Sequence, residues 1–284
     1  MGRYNSNRLT TKFVQDYIKD RLWERDRCEY IPFLSVRSVP TKGKANRIMG
    51  WKTGREHHFL SKLEYAAFYH FDWSDDVLDI KEQYPLFPME ALQTIAVEAG
   101  IDYPSFNGEP IIMTTDFLVT ARKNGKIVHY ARTIKPSADL SNERILEKFE
   151  IERRFFKSKN IDWGIITEKE LSDVFSNNMD ILHSNKLINN GTILEKQYLF
   201  AMYKQLTEAV ENSTSYNMPI AYTLTQLAKN LNINISDITE IFLKAIVDKI
   251  IVLDIYNKPL NITTLTRGDV KVNNEMLLNA ANTI

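Results

Sequence analysis

Asn124-Gly125 stands between two runs, Met113 to Thr120 and Ile127 to Lys135, that read as strands. A two-residue loop with positive φ at both positions is formed most cheaply by Asn-Gly, and a period of two gives each run one face for a core. The stretch therefore reads as a β-hairpin, and Pro136 stops its second arm. Helix-like and strand-like segments interleave around it. Asn7 to Arg21 carries apolar residues at helical spacing, and irregular loops dominate from there to His58. Ser61-Lys62-Leu63-Glu64 fits a capping box that opens a helix through Phe71. Val77 to Tyr84 reads as a strand, Ser141 to Lys159 as a long amphipathic helix, and Asp162 to Thr167 as a further buried strand. Interleaving of this kind predicts an α/β domain with a mixed sheet.

The second half has a different texture. The polar stretch SNNMDILHSNKLINNGT predicts a crossing between domains, which places the domains at 1–174 and 175–284. Ile193 to Val210, Thr223 to Leu231 and Ile235 to Lys249 read as helices. Ile250 to Ile255 and Asn261 to Leu265, joined by a YNKP turn, read as a small hairpin. Helix, turn, helix and hairpin describe a mainly α, winged-helix-like domain.

Lys+Arg and Asp+Glu are equal at 36 each, but residues 1–60 hold 13 of the former and 6 of the latter, so the first stretch carries +7 and the remainder −7. A basic end on an acidic body suits contact with a polyanion, and a solvated basic face is an equal alternative. Lys42, Lys44, Arg47, Lys52, Arg55, His57 and His58 fall in or beside the irregular stretch ahead of Glu64, where basic side chains can follow a phosphate backbone. His57 and His58 do not form a zinc site, because no second ligand pair has suitable spacing and Cys28 is the only cysteine. The same lone thiol excludes an internal disulfide and suits a reducing compartment. No apolar run approaches a membrane span and the opening residues lack a secretion signal, so the expectation is a cytoplasmic protein without membrane contact.

Alternation puts Asp116 on one face with Thr114 and Leu118, and Thr133 with Lys135 on the adjacent arm. A carboxylate inside MTTDFLV costs several kcal/mol if buried unpaired, so it needs a cation or an open edge. Metal-dependent phosphodiester cleavage requires hard oxygen ligands, an acidified water and a cation near the scissile phosphate. Asp116 and Lys135 offer two of these parts and Glu64 a second carboxylate. Glu64 fits equally the third position of its capping box, and Lys135 fits a strand-end residue reaching water. Glu147 and Glu150 are partners either for Lys135 or for Lys148, Arg153 and Arg154 on their own helix.

EYIPFLSV, RIMGWKTGREHHFLSKLE, WSDDVLDIKEQYPLFP, TTDFLV, TIKP and LEKFEIERRFF together resemble the TnsA family of transposon-end endonucleases, over most of the first half. The resemblance implies a restriction-endonuclease-like core with a Glu, an Asp and a Gln-x-Lys motif. The matching positions are Glu64, Asp116 and Thr133-Ile134-Lys135, with threonine in place of glutamine. It further implies Mg²⁺, with Mn²⁺ as a substitute, held by Glu64, Asp116 and Thr133, and Lys135 orienting the attacking water. The implied function is hydrolysis at the 5′ ends of transposon-end DNA, beside a DDE-type transposase subunit and an AAA+ ATPase regulator. A stand-alone restriction or repair nuclease and a non-catalytic DNA-binding scaffold are the alternatives. The second helix-turn-helix segment, Ile235 to Lys249, carries a net −1, so the C-terminal domain is expected to dock protein rather than read a major groove.

Overall fold

A computed structural model describes residues 11–36, 46–185, 193–213 and 216–282. The chain divides into two compact units, residues 1–171 and 172–284. The first opens with helix α1 (Thr11–Lys19), an antiparallel pair β1 (Asn46–Met49) and β2 (Glu56–Phe59), and helix α2 (Lys62–Trp73). Strand β3 (Val77–Pro85), helix α3 (Met89–Ala99) and the two-residue strands β4 (Ser105–Phe106) and β5 (Glu109–Pro110) follow. Then come the hairpin β6 (Thr114–Lys123) and β7 (Lys126–Ile134), helix α4 (Glu143–Ser158) and strand β8 (Asp162–Ile166).

The main sheet has the order β3-β6-β7-β8, antiparallel except for the parallel β7–β8 pair, so the mixed α/β sheet expected for this half is present. Asn124 (φ 51°) and Gly125 (φ 75°) both adopt the left-handed conformation between the closing pair Lys123–Lys126, as the Asn-Gly turn requires. Phe71 of α2 and Phe59 of β2 pack on Phe117 on one face of the sheet. On the other, Leu92 and Ala96 of α3 and Ile151, Phe155 and Phe156 of α4 enclose Ala131.

The stretch expected to be loops contains β1 and β2. Two tertiary contacts make this hairpin possible. The Asp72 carboxylate accepts the backbone N–H groups of Trp51 and Lys52, each at 3.0 Å, and a side chain at Gly50 would meet His57 and Thr53 at 2.7 Å. Neither is visible in local pattern.

β2 is joined to β3 by a buried ionic cluster. Glu82 accepts from Arg55 (2.8 Å), from His57 Nδ1 (2.8 Å) and from the His58 backbone N–H (3.1 Å), while Arg55 also donates to the Ile80 carbonyl (2.8 Å). Burial alone would raise the Glu82 carboxyl, but His57 and Arg55 hold it well below the usual carboxylate range. Arg55 and His57 are thereby removed from the set of residues expected to meet DNA, since both are buried against a carboxylate.

The second unit contains α5 (Asp173–His183), α6 (Ile193–Asn212), α7 (Ile220–Leu231), α8 (Ile235–Val247), the antiparallel pair β9 (Ile251–Val252) and β10 (Lys271–Val272), and α9 (Asn274–Ala281). Two expectations are corrected here. The stretch read as a crossing begins with α5, whose cap Ser172 accepts from Phe175 N. The strand Ile251–Val252 pairs with Lys271–Val272 rather than with 261–265, because Asn261 turns the chain, its side chain accepting from Thr263 N at 3.0 Å and its carbonyl from Thr264 N at 3.0 Å. Asn178 of α5, 1% exposed, donates to the carbonyls of Ile255 and Lys258 and accepts from Leu260 N. No helix among the described residues is long and apolar enough to cross a membrane.

Replacing Glu82 by Gln strands Arg55 in the interior, and removal of one partner of a buried pair costs about 3–5 kcal/mol. The midpoint of urea unfolding is expected to fall accordingly, with Arg47→Gln, whose pair with Glu56 is exposed, nearly silent in the same measurement.

Candidate active site: two buried carboxylates and one amide

Helix α2 begins with Ser61, whose hydroxyl accepts from Glu64 N at 3.1 Å. The Glu64 carboxylate does not close the box on Ser61. Its Oε2 accepts from Leu60 N at 2.9 Å and from Gln83 Nε2 at 3.2 Å. Gln83 Nε2 donates also to Asp116 Oδ1 at 3.3 Å, and Asp116 Oδ2 accepts from Ile134 N at 2.6 Å. One amide from β3 therefore links a carboxylate at the start of α2 to another on β6.

A break in strand alternation brings this about. Glu82 and Phe117 are register partners and turn to the α2 side of the sheet, towards His57 and Phe71 respectively. Tyr84 and Thr115, the register pair two residues away, should face the same way. Tyr84 instead packs with Leu86, Leu92 and Phe155, and the Thr115 hydroxyl lies 3.4 Å from that of Thr133. Between the two pairs stand Asp116 and Gln83, and Gln83 has φ 48°, a left-handed conformation that costs a non-glycine residue about 1–3 kcal/mol.

Thr133 was expected as a metal ligand, and the structure gives its hydroxyl another task. It donates to Glu152 Oε1 of α4 at 2.5 Å, and Trp163 Nε1 donates to the same oxygen at 2.9 Å. Burial raises the Glu152 carboxyl to about 7 against the hydrogen bonds of Thr115, Thr133 and Trp163. Of the two readings of Glu147 and Glu150, the structure shows the one on their own helix, where they pair with Arg144 and with Arg153 and Arg154 respectively. Lys135 Nζ is 3.4 Å from Asp139 Oδ2, and its charge favours the ionised form of Asp116. Arg47 is exposed and pairs with Glu56, Lys52 is half-buried, and His58 has a mostly buried ring. Lys42 and Lys44 lie outside the described residues.

Sequence reasoning brought Glu64, Asp116 and Lys135 to one place and missed Gln83 and Glu152. A glutamine at an inward position of the strand VLDIKEQYP was the available signal for the first. Among the described residues no cluster of three or more His, Cys, Asp or Glu has metal-holding geometry, which excludes a closed zinc-type centre from them. Two carboxylates with an amide between them form a hard-oxygen donor set of the kind Mg²⁺ takes when it keeps most of its water and shares its ligands with substrate phosphates. The residues fit that ion.

Burial raises the proton affinity of both carboxyls, and the charge of Asp116 raises it further at Glu64, while Leu60 N–H, Ser61 and Gln83 oppose the shift at Glu64. The unfolded chain then loses these protons at lower pH than the folded one, so stability falls as pH rises through that interval. In EDTA the melting temperature is expected to drop between pH 5 and pH 8, and to drop less in Glu64→Gln. Equal slopes by calorimetry would mean that the two acids are not buried together.

Residues 74–168 match the family described as TnsA-like endonuclease N terminal. Over 158 residues the chain is 46% identical to the Transposon Tn7 transposition protein TnsA of Escherichia coli, a match that covers 56% of this chain and 57% of that protein. The chain thus spans a little over half the length of this curated relative. Residues 74–168 are thus similar to a TnsA-like endonuclease N-terminal region, and the mixed sheet with the motifs about Asp116 and Lys135 falls within them.

Proposed function

We propose that the chain is the DNA endonuclease subunit of a transposition machine, hydrolysing one strand at the 5′ end of the element with Mg²⁺. The observation that carries this reading is the Gln83 amide bonded to both Glu64 and Asp116, in a unit similar to a transposition protein. Glu64 and Asp116 would hold the ion. When bound, Mg²⁺ acidifies a coordinated water and offsets charge on the phosphate. Ile134 N–H fixes the Asp116 carboxylate against the end of β7. Lys135, next along the chain, orients the attacking water or faces the charge that develops on phosphorus.

A phosphate path is supported by cations on α4. Thr133 touches Glu152, and two residues along β7 advance the chain by about 6.6 Å. One turn of α4 back from Glu152 covers about 6 Å and reaches Lys148, which brings Lys148 level with Lys135. Burial, then Arg144 and Lys135, weaken the hold of Lys148 on its proton, and a phosphate would relieve that repulsion. Of the earlier candidates, Arg47 and Lys52 keep side chains within reach of solvent.

The second unit is read as a winged-helix-like module, with α7 and α8 as the helical pair and β9–β10 as a minimal wing. Asp237, Glu240 and Asp248 on or at the end of α8 disfavour phosphate, so its partner is protein, namely the DDE-type transposase subunit or the AAA+ ATPase regulator. The protein works in the cytoplasm on this reading.

A nicking assay on DNA carrying the element's end, with the transposase subunit and the ATPase present, tests the proposal. Mg²⁺-dependent cleavage of the 5′ strand is expected in the wild type and background in Asp116→Ala, Glu64→Ala and Lys135→Ala. Cleavage by Asp116→Ala at the wild-type rate would refute it. Lys148→Ala is expected to weaken DNA binding uniformly across sequences and to lower the salt slope by about one.

A further inference from the structure

Among the described residues, Gln83 is the one that hydrogen-bonds to both Glu64 and Asp116. Its side chain is 3% exposed, so each polar atom needs a partner inside the protein. The two ends of the amide are held very differently. Nε2 is shared between two carboxylates at 3.2 and 3.3 Å, while Oε1 accepts only from Thr114 Oγ1, at 3.5 Å, the outer limit of such a bond. The backbone at this residue is left-handed within a strand, where glycine would sit at less cost. A strained residue whose side chain spans two acids is placed for the sake of that side chain.

The donor end suits two carboxylates with no cation between them. An N–H directed at a dication is repelled, whereas an amide oxygen is a hard ligand of the same kind as the carboxylates. The terminal torsion of glutamine is broad and roughly two-fold, so the amide can exchange its ends without moving the chain. The Thr133 hydroxyl, for its part, donates to Glu152.

Resting on the reading of Glu64 and Asp116 as metal ligands, we infer that Gln83 is the positioning residue of the carboxylate pair. Its N–H end holds the two acids together when no cation lies between them, and its oxygen end faces them when a divalent cation does. Charge makes the prediction directional. A glutamate at this position supplies an oxygen at either end of its carboxylate and adds a third negative charge, whereas methionine preserves length and removes both the donor and the hard oxygen.

The test is Mn²⁺ binding to the full chain without DNA, by calorimetry, alongside melting temperatures in EDTA and in Mn²⁺. Gln83→Met is expected to bind Mn²⁺ about 10–100-fold more weakly than the wild type, the range for loss of a group that orients metal ligands. Gln83→Glu is expected to bind Mn²⁺ more than twofold tighter than the wild type, to melt lower in EDTA, and to gain more from Mn²⁺. A residue that only fills space would leave Mn²⁺ affinity unchanged in both variants, and affinities within twofold of wild type in both would overturn the inference. Should Gln83→Met not fold, the Gln83→Glu comparison decides alone. Mn²⁺ binding by the wild type that is lost in Asp116→Asn but kept in both Gln83 variants sinks the role of Gln83 and spares the metal site. Wild-type binding that Asp116→Asn leaves untouched removes both.

Discussion

Two carboxyl groups in a nearly dry place, with one amide between them, cannot both stay ionised unaided. The effective cost of burying an ion is several kcal/mol, and a like charge beside it adds to that cost. The first unit is arranged around this constraint. Helix α2 delivers Glu64 from its first turn, β6 delivers Asp116 from the sheet, and β3 places the amide that both share. The backbone N–H groups of Leu60 and Ile134 supply the remaining donors. On the proposed reading, a cation between the two acids would relieve this repulsion.

The break in alternation at Gln83 also separates two chemistries. On one side of it, Glu64 and Asp116 face each other through the amide. On the other, Thr115, Thr133 and Trp163 surround Glu152, a third buried acid with its own donors. Thr133 belongs to the second group. Thr133, which the resemblance sets at a glutamine position, thus hydrogen-bonds to Glu152.

Elements whose cause is local were legible in the sequence. The Asn124-Gly125 turn, the Ser61 cap of α2 and the long helix α4 each depend on residues within a few positions of one another, and they lie close to where periodicity and capping place them. What was not legible depends on distant partners. The β1–β2 hairpin needs Asp72 from the next helix, and the burial of Arg55 and His57 needs Glu82 from β3. Basic residues in a seeming loop were read as able to follow a phosphate backbone because the acid that buries Arg55 and His57 lies on a later strand. In the second unit, Asn261 looked like a strand start and acts as a turn residue, its side chain competing with the ladder for the backbone. For the site, residue types offered Glu64, Asp116 and Lys135 as candidates and the family resemblance selected them, whereas Gln83 depends on the strand's irregular backbone, which no pattern of residue types encodes.

Asn178 fastens the first helix of the second unit to a segment made much later in synthesis, with hydrogen bonds that reach across 77, 80 and 82 residues. Until residues 255–260 have been made, this buried amide lacks the partners it has in the folded unit. The bonds that hold the start of the second unit thus close only after most of that unit has been synthesised. A chain cut short before that point would carry a complete first unit and a second one whose buried amide has no partner.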